Sequence, residues 1–208
     1  MIKILGKPVS INVRKVLWTL AETGAPYERE DWGDGYRSTQ TPEFQALNPN
    51  AMVPVLVDGG FVLWESNTIC RYLAGEAGRD DLLPRDPRRR AEVEKWMDWQ
   101  ATDLNSSWRY AFMSLVRKSP AHQDPAQLAA SVAAWNRNMA ILEQHLQQGS
   151  SFVTGTGFTL ADIVLGLTAN RWMMTLGEER PATLAIDAWM ERMADRPGFI
   201  RHCRNGTP

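Results

Sequence analysis

With 208 residues, the chain is long enough for one large domain or two small ones, and for a sizeable core. Hydrophobic residues make up 44% and charged residues 23%, which excludes a disordered chain; a net charge of −1 excludes the basic field that gathers nucleic-acid phosphates. The two cysteines, Cys70 and Cys203, lie far apart in sequence with no ligand-like spacing, which argues against a disulfide framework or a zinc site and fits a reducing, cytoplasmic compartment, while no run of ~18 apolar residues marks a membrane span.

The alternation Ile2-Lys3-Ile4-Leu5, broken by Gly6-Lys7-Pro8, predicts a strand and then a loop. Val13, Val16, Leu17, Leu20 and Ala21 follow helical spacing, and Gly24 supplies the stop. A second strand is expected over 27–31, so the chain opens β-α-β, the unit that builds a parallel pair. A Gly-, Ser- and Thr-rich loop over 33–41 leads to a short helix over 42–47, ended by Asn48-Pro49-Asn50. Residues 53–57 and 61–64 are the arms of a hairpin turning at Asp58-Gly59-Gly60, and a helix follows over 65–77. The first half is thus an α/β unit of order βαβαββα.

The mixture of Gly, Asp, Pro and Arg over 78–88 is the best candidate linker, dividing the chain into domains at 1–78 and 88–208 with 79–87 between them. Everything beyond it carries helical spacing. Met97, Leu104, Trp108, Ala111 and Leu115 mark one long helix, with polar Gln100 on the same face. Leu128, Val132, Trp135, Met139, Leu142 and Leu146 form an apolar stripe. Six of the nine tryptophans lie between Trp96 and Trp189, a large aromatic payload for a core or a ligand.

The sharpest local pattern is Phe158-Thr159-Leu160-Ala161-Asp162-Ile163. Thr159 and Asp162 form a capping box, and Phe158 and Ile163 occupy the staple positions around it. Such a box satisfies the orphan amides of a helix without water, so this is a stability device. The basic run Arg85 to Arg90, broken by Asp86 and Pro87, reads as a solvated helix start. His122, His145 and His202 have no Cys or carboxylate at metal spacing and read as surface residues, so no metal is expected. No G-x-S-x-G, P-loop, H-E-x-x-H or EF-hand pattern occurs.

Four segments taken together resemble the cytosolic glutathione transferases, in the order and spacing of that family. They are Ser10-Ile11-Asn12-Val13-Arg14-Lys15-Val16, Asn48-Pro49 through Val53-Pro54-Val55-Leu56, Leu63-Trp64-Glu65-Ser66-Asn67-Thr68-Ile69, and Thr159-Leu160-Ala161-Asp162. The likeness is strongest to serine-dependent, theta-like bacterial members. It implies a thioredoxin-like, glutathione-binding domain followed by an all-α domain, with glutathione as co-substrate, no permanently bound cofactor and a homodimeric assembly.

The resemblance also implies residue roles. Pro54 is expected to be cis, so that the NH and CO of Val53 pair with the cysteinyl unit of glutathione as a one-residue strand addition. Ser66, at a helix start, suits the γ-glutamyl carboxylate and Glu65 the ammonium; Ser66 alternatively only caps the helix. Ser10 is expected to donate its hydroxyl to the glutathione sulfur and so stabilise the thiolate, with Asn12 as the alternative donor. Where many relatives hold the glycyl carboxylate with a polar residue, this chain has Met52, which leaves Thr39 or Gln40 for that task. The second substrate, a small apolar electrophile, is expected between the domains against Trp108, Arg109, Phe112, Met113 and Trp172, with Arg109 favouring an anionic leaving group. Cys70 reads as a buried structural cysteine.

Three functions are compatible with these residues: transfer of the glutathionyl group to an electrophile, glutathione-dependent reduction of organic peroxides, and a non-catalytic binding role on the same fold. Ser10, Glu65 and Ser66 favour the first, and only Met52 favours the last.

Overall fold

The computed structural model describes residues 1–208. Strand β1 (Ile2–Leu5) runs into helix α1 (Ile11–Thr23) and back to β2 (Tyr27–Glu30), which lies parallel to β1. Helix α2 (Pro42–Leu47) precedes the hairpin of β3 (Val55–Asp58) and β4 (Phe61–Trp64), and α3 (Ser66–Glu76) closes the unit. The sheet order is β2-β1-β3-β4, with β3 antiparallel to both its neighbours. A period of two sorts the strand side chains. Ile4 and Leu56 join the main core under α1 and α3, whereas Leu5 and Val55 pack with Phe44 of α2 in a small cluster of their own. Gly24 ends α1 in the left-handed conformation, φ 70°, and its NH donates to the Leu20 carbonyl at 2.9 Å.

The second half is helical: α4 (Pro87–Trp99), α5 (Asn105–Leu115), α6 (Pro125–Leu146), α7 (Leu160–Leu176), α8 (Leu184–Arg192) and α9 (Pro197–His202). The long helix expected through Met97 and Leu115 is one rod made of α4 and α5, joined by a π-helical turn over Gln100–Leu104 that the spacing did not reveal. Asp86 caps α4 through the Arg89 amide at 2.9 Å, and the arginines behind it are largely solvated. The segment joining the halves is no loose tether: Leu82 and Leu83 are buried, and the Leu82 carbonyl accepts from the Leu160 amide at 3.0 Å.

The capping box forms. The Asp162 carboxylate accepts from the Thr159 amide at 2.8 Å, and also from the Val153 amide and the Trp189 indole, each at 2.9 Å. Phe158 and Ile163 are both buried beside it.

Two expectations need correction. The third strand begins at Val55 and not at residue 53, because Val53 and Pro54 lie outside the ladder. His202 is not a surface residue: it is 7% exposed, where α9 packs on α1, and burial together with Arg201 and Arg14 pushes its pKa down to about 4. No helix is long and apolar enough to cross a membrane.

Candidate active site

The sheet and α3 build one half of a cleft. Asn48, 3% exposed, ties the approach to β3: its amide donates to the Met52 carbonyl at 2.8 Å and its side-chain oxygen accepts from the Asn50 amide at 3.0 Å. The Val53–Pro54 bond is cis. Neither the NH nor the CO of Val53 takes part in main-chain pairing. Where β4 hands over to α3, Glu65 adopts φ 74°, a conformation that costs a non-glycine residue about 1–3 kcal/mol and persists only where the surroundings fix it. That turn brings the start of α3, with its free amides, to the cleft; Ser66 is 7% exposed and Glu65 projects into solvent.

These groups share a cavity of about 290 Å³ with Asn12 and Met52. Within it are unpaired peptide groups, a helix N-terminus and one carboxylate, a set that matches a short peptide with a carboxylate and an ammonium at one end. Gln40 lies elsewhere: it is exposed, outside the cavity lining, and its side-chain oxygen accepts from Gln45 at 3.4 Å. Thr39 does not line the cavity either, and Met52 is 63% exposed at its edge.

A second cavity of about 310 Å³ opens between the halves and shares Asn12 and Met52 with the first. Ser10 lines it. Its carbonyl starts α1 by accepting from the Arg14 amide at 2.9 Å, and its hydroxyl makes no capping bond. From α5 come Trp108, Arg109, Phe112 and Met113, with the rings of Trp108 and Phe112 edge to face at 5.6 Å.

Trp172 is the exception among the expected lining residues. It is fully buried, and its indole donates to Asn136 of α6 at 2.8 Å. Successive residues of a helix point ~100° apart, so the neighbour that reaches the cleft is Arg171. Its guanidinium stacks over Phe112 at 4.1 Å and Trp108 at 4.6 Å. Burial first, then Arg14 and Arg117, lower its pKa to about 9. A signal for Arg171 did exist: it continues the inward stripe Leu160, Val164, Leu167 by one more step of four. Lys7 and Arg117 line the same cavity from loop and helix end, where periodicity carries no information.

Behind the two cavities runs a buried polar chain. Lys15 of α1 donates to Asn67 of α3 at 3.2 Å and to Gln100 at 2.7 Å; Gln100 donates to Thr168 of α7 at 3.1 Å; and Asn67 donates to the Met97 carbonyl of α4 at 2.7 Å. Burial lowers the Lys15 ammonium to about 8. The neighbouring Cys70 is fully buried, and burial raises its thiol to about 11, as befits a packing residue.

Comparison with known proteins identifies the family to which this fold belongs. The family models described as glutathione S-transferase, N-terminal domain, and glutathione S-transferase, C-terminal domain, match residues 1–75 and 107–197. The glutathione S-transferase GstB of Escherichia coli (strain K12) is 36% identical over 199 residues, 95% of each chain. Glutathione S-transferase 3 of Zea mays is 31% identical over 210 residues, covering 95% of this chain and 91% of its own. The crystal structure of the theta class glutathione S-transferase from Xanthomonas axonopodis pv. citri, with glutathione bound, superposes with a TM-score of 0.92 at 36% identity, covering 100% of this chain and 99% of that one. With both of its halves matched and its likeness to these relatives running nearly end to end, the chain belongs to the glutathione S-transferase family.

Proposed function

We propose that this protein is a glutathione transferase, which activates the thiol of glutathione and transfers the glutathionyl group to a small electrophile. One observation carries the proposal: the unpaired peptide groups of Val53, the N-terminus of α3 at Ser66 and the uncommitted hydroxyl of Ser10 all line the two adjoining cavities. Glutathione's γ-glutamyl end lies at Ser66 and Glu65, and its cysteinyl unit pairs with Val53. The sulfur then sits toward Asn12 and Ser10. A free thiol has a pKa near ~8.5 and is mostly protonated at neutral pH. A hydroxyl donated by Ser10, beside the N-terminus of α1, favours the thiolate, and the proton leaves to solvent without a dedicated base. Ser10 is a donor and not the nucleophile; the sulfur attacks.

The electrophile lies over Trp108, Phe112 and Met113. On this reading residues 1–78 are the glutathione-binding domain, 79–87 the linker and 88–208 the electrophile-binding domain. Two unpaired, buried cysteines support a reducing, cytoplasmic setting. Phe61 and Trp64, 46% and 37% exposed on the edge strand β4, support a homodimer that covers them.

The test joins titration calorimetry with glutathione to turnover of 1-chloro-2,4-dinitrobenzene and cumene hydroperoxide. Binding with conjugation is expected. Ser10→Ala is expected to lower kcat by about 10²-fold while glutathione still binds, the loss typical of one donor to a developing or stabilised anion. A comparable loss from Asn12→Ala, with Ser10→Ala harmless, transfers the role to Asn12. Absence of binding at millimolar glutathione overturns the enzyme assignment in favour of a binding role.

A further inference from the structure

The second cavity has a charge its partner lacks. Lys7, Arg109, Arg117 and Arg171 line it, and no Asp or Glu does. The glutathione half is lined by no cation at all. Lys7 is offset by exposed Asp34, at 3.5 Å. Arg109, Arg117 and Arg171 take part in none of the chain's ion pairs.

Arg171 is the decisive member. It is 4% exposed, and its Nη2 donates at 3.3 Å to the oxygen of Pro208, the last residue, which Arg14 already takes at 2.6 Å. Its Nε and the indole nitrogen of Trp108 are buried donors with no acceptor. The charged groups acting on it, Arg14 and Arg117, are of its own sign. Buried cations are ordinarily paired, and unpaired donors in a wall are costly. A ligand that brings negative charge into this cavity meets cations that no acid of its lining offsets.

We propose that the electrophile of this transferase is an anion: an aromatic molecule bearing a carboxylate or sulfonate, its ring against Trp108 and Phe112 and its oxyanion drawn to Arg171 and Arg117. This rests on the transferase reading above. With an aryl halide of this class the glutathione thiolate attacks the halogen-bearing carbon, a C–S bond forms, the carbon–halogen bond breaks, and the halide leaves with its electron pair. The thiol proton goes to solvent, and nothing is oxidised or reduced.

The test compares 4-chloro-3,5-dinitrobenzoate with its methyl ester, each kcat/KM divided by the uncatalysed rate with free glutathione. The acid is expected to exceed the ester at least tenfold, and the excess to shrink as salt is raised. Arg117→Ala and Arg171→Met are each expected to cut the acid-to-ester ratio at least threefold. Arg117 is exposed, so its replacement keeps the test open if Arg171→Met folds poorly. A ratio at or below one, or a ratio that neither substitution moves, overturns the proposal. So does a rise in the Kd for glutathione with the ratio unchanged, because the cations then serve glutathione.

Binding of unreactive 3,5-dinitrobenzoate and its methyl ester, followed by tryptophan quenching with glutathione present, separates the two claims. Preference for the anion without turnover of either chloride sinks the transferase reading and upholds the anion site. Turnover with no preference for the anion in either measurement does the reverse.

Discussion

Replacing Asp162 tests whether the start of α7 is held as its hydrogen bonds indicate. The carboxylate is fully buried and serves three buried N–H donors: the Thr159 amide, the Val153 amide and the Trp189 indole. Asp162→Ala leaves all three without an acceptor. Each orphaned donor costs about 1–3 kcal/mol. Members of one network are not additive, and the carboxylate itself is held at some cost, since burial raises its pKa. A net loss of about 3–5 kcal/mol follows, a large share of the ~5–15 kcal/mol that holds a domain together. Asp162→Asn keeps the shape but turns one acceptor into a donor facing a donor, for about 2 kcal/mol. Urea unfolding at neutral pH, followed by tryptophan fluorescence, reads both from the midpoint at constant slope. If Asp162→Ala lies within 1 kcal/mol of the parent, or Asp162→Asn is the worse of the two, the network does not carry this helix start.

Two further outcomes bear on α9, which packs on α1. His202 has a folded pKa of about 4, below its ordinary 6.5. As pH falls through 6.5 the unfolded chain takes up the proton first, so the stability that a neutral His202 provides above 6.5 is lost progressively down to about pH 4. His202→Asn is expected to reduce the slope of stability against pH in that window by up to one proton, and an unchanged slope refutes the assignment. Gly198 faces Trp18, and an added Cβ would lie 2.5 Å from the indole Cδ1. Trp18 is fully buried and bonded to Glu22 at 2.9 Å, so it has little room to yield. Gly198→Ala should cost about 1–3 kcal/mol and lower Tm by roughly 3–10 °C; calorimetry that shows Tm unchanged or raised contradicts this packing.

The order of elements was legible because apolar runs of strand and helix spacing are punctuated by Gly6, Gly24, Asn48-Pro49-Asn50 and Asp58-Gly59-Gly60. The capping box was legible because it is a local device, complete within four residues. Helix α1 shows the limit of periodicity. Almost every side of it is covered, so Arg14 and Lys15 are as buried as Val13 and Val16, and nothing in the spacing marks them out. The resemblance places Trp172 in the cleft, whereas its face of α7 turns to Asn136, and Arg171 takes the cleft position. Asn48 and Asn50 mark a helix stop, and Asn48 also opens a segment of the resemblance, but neither pattern shows that their side chains brace the loop before Val53. The π-turn at Gln100–Leu104 had no sequence mark, since one extra residue in a turn shifts the facing pattern without breaking it.

The buried chain from Lys15 through Asn67 and Gln100 to Thr168 has a consequence for timing and tolerance. Apolar surfaces slide over one another at little cost; an ammonium seated on two directed acceptors does not. The two halves therefore meet in one register before any ligand arrives, and the gap between the thiol's seat and the Trp108–Phe112 wall is set by the folded chain. No binding energy is then spent on closing it. Residues on the free face of α5 are correspondingly at liberty to drift, reshaping the outer wall of the second cavity while the spacing between nucleophile and target stays put.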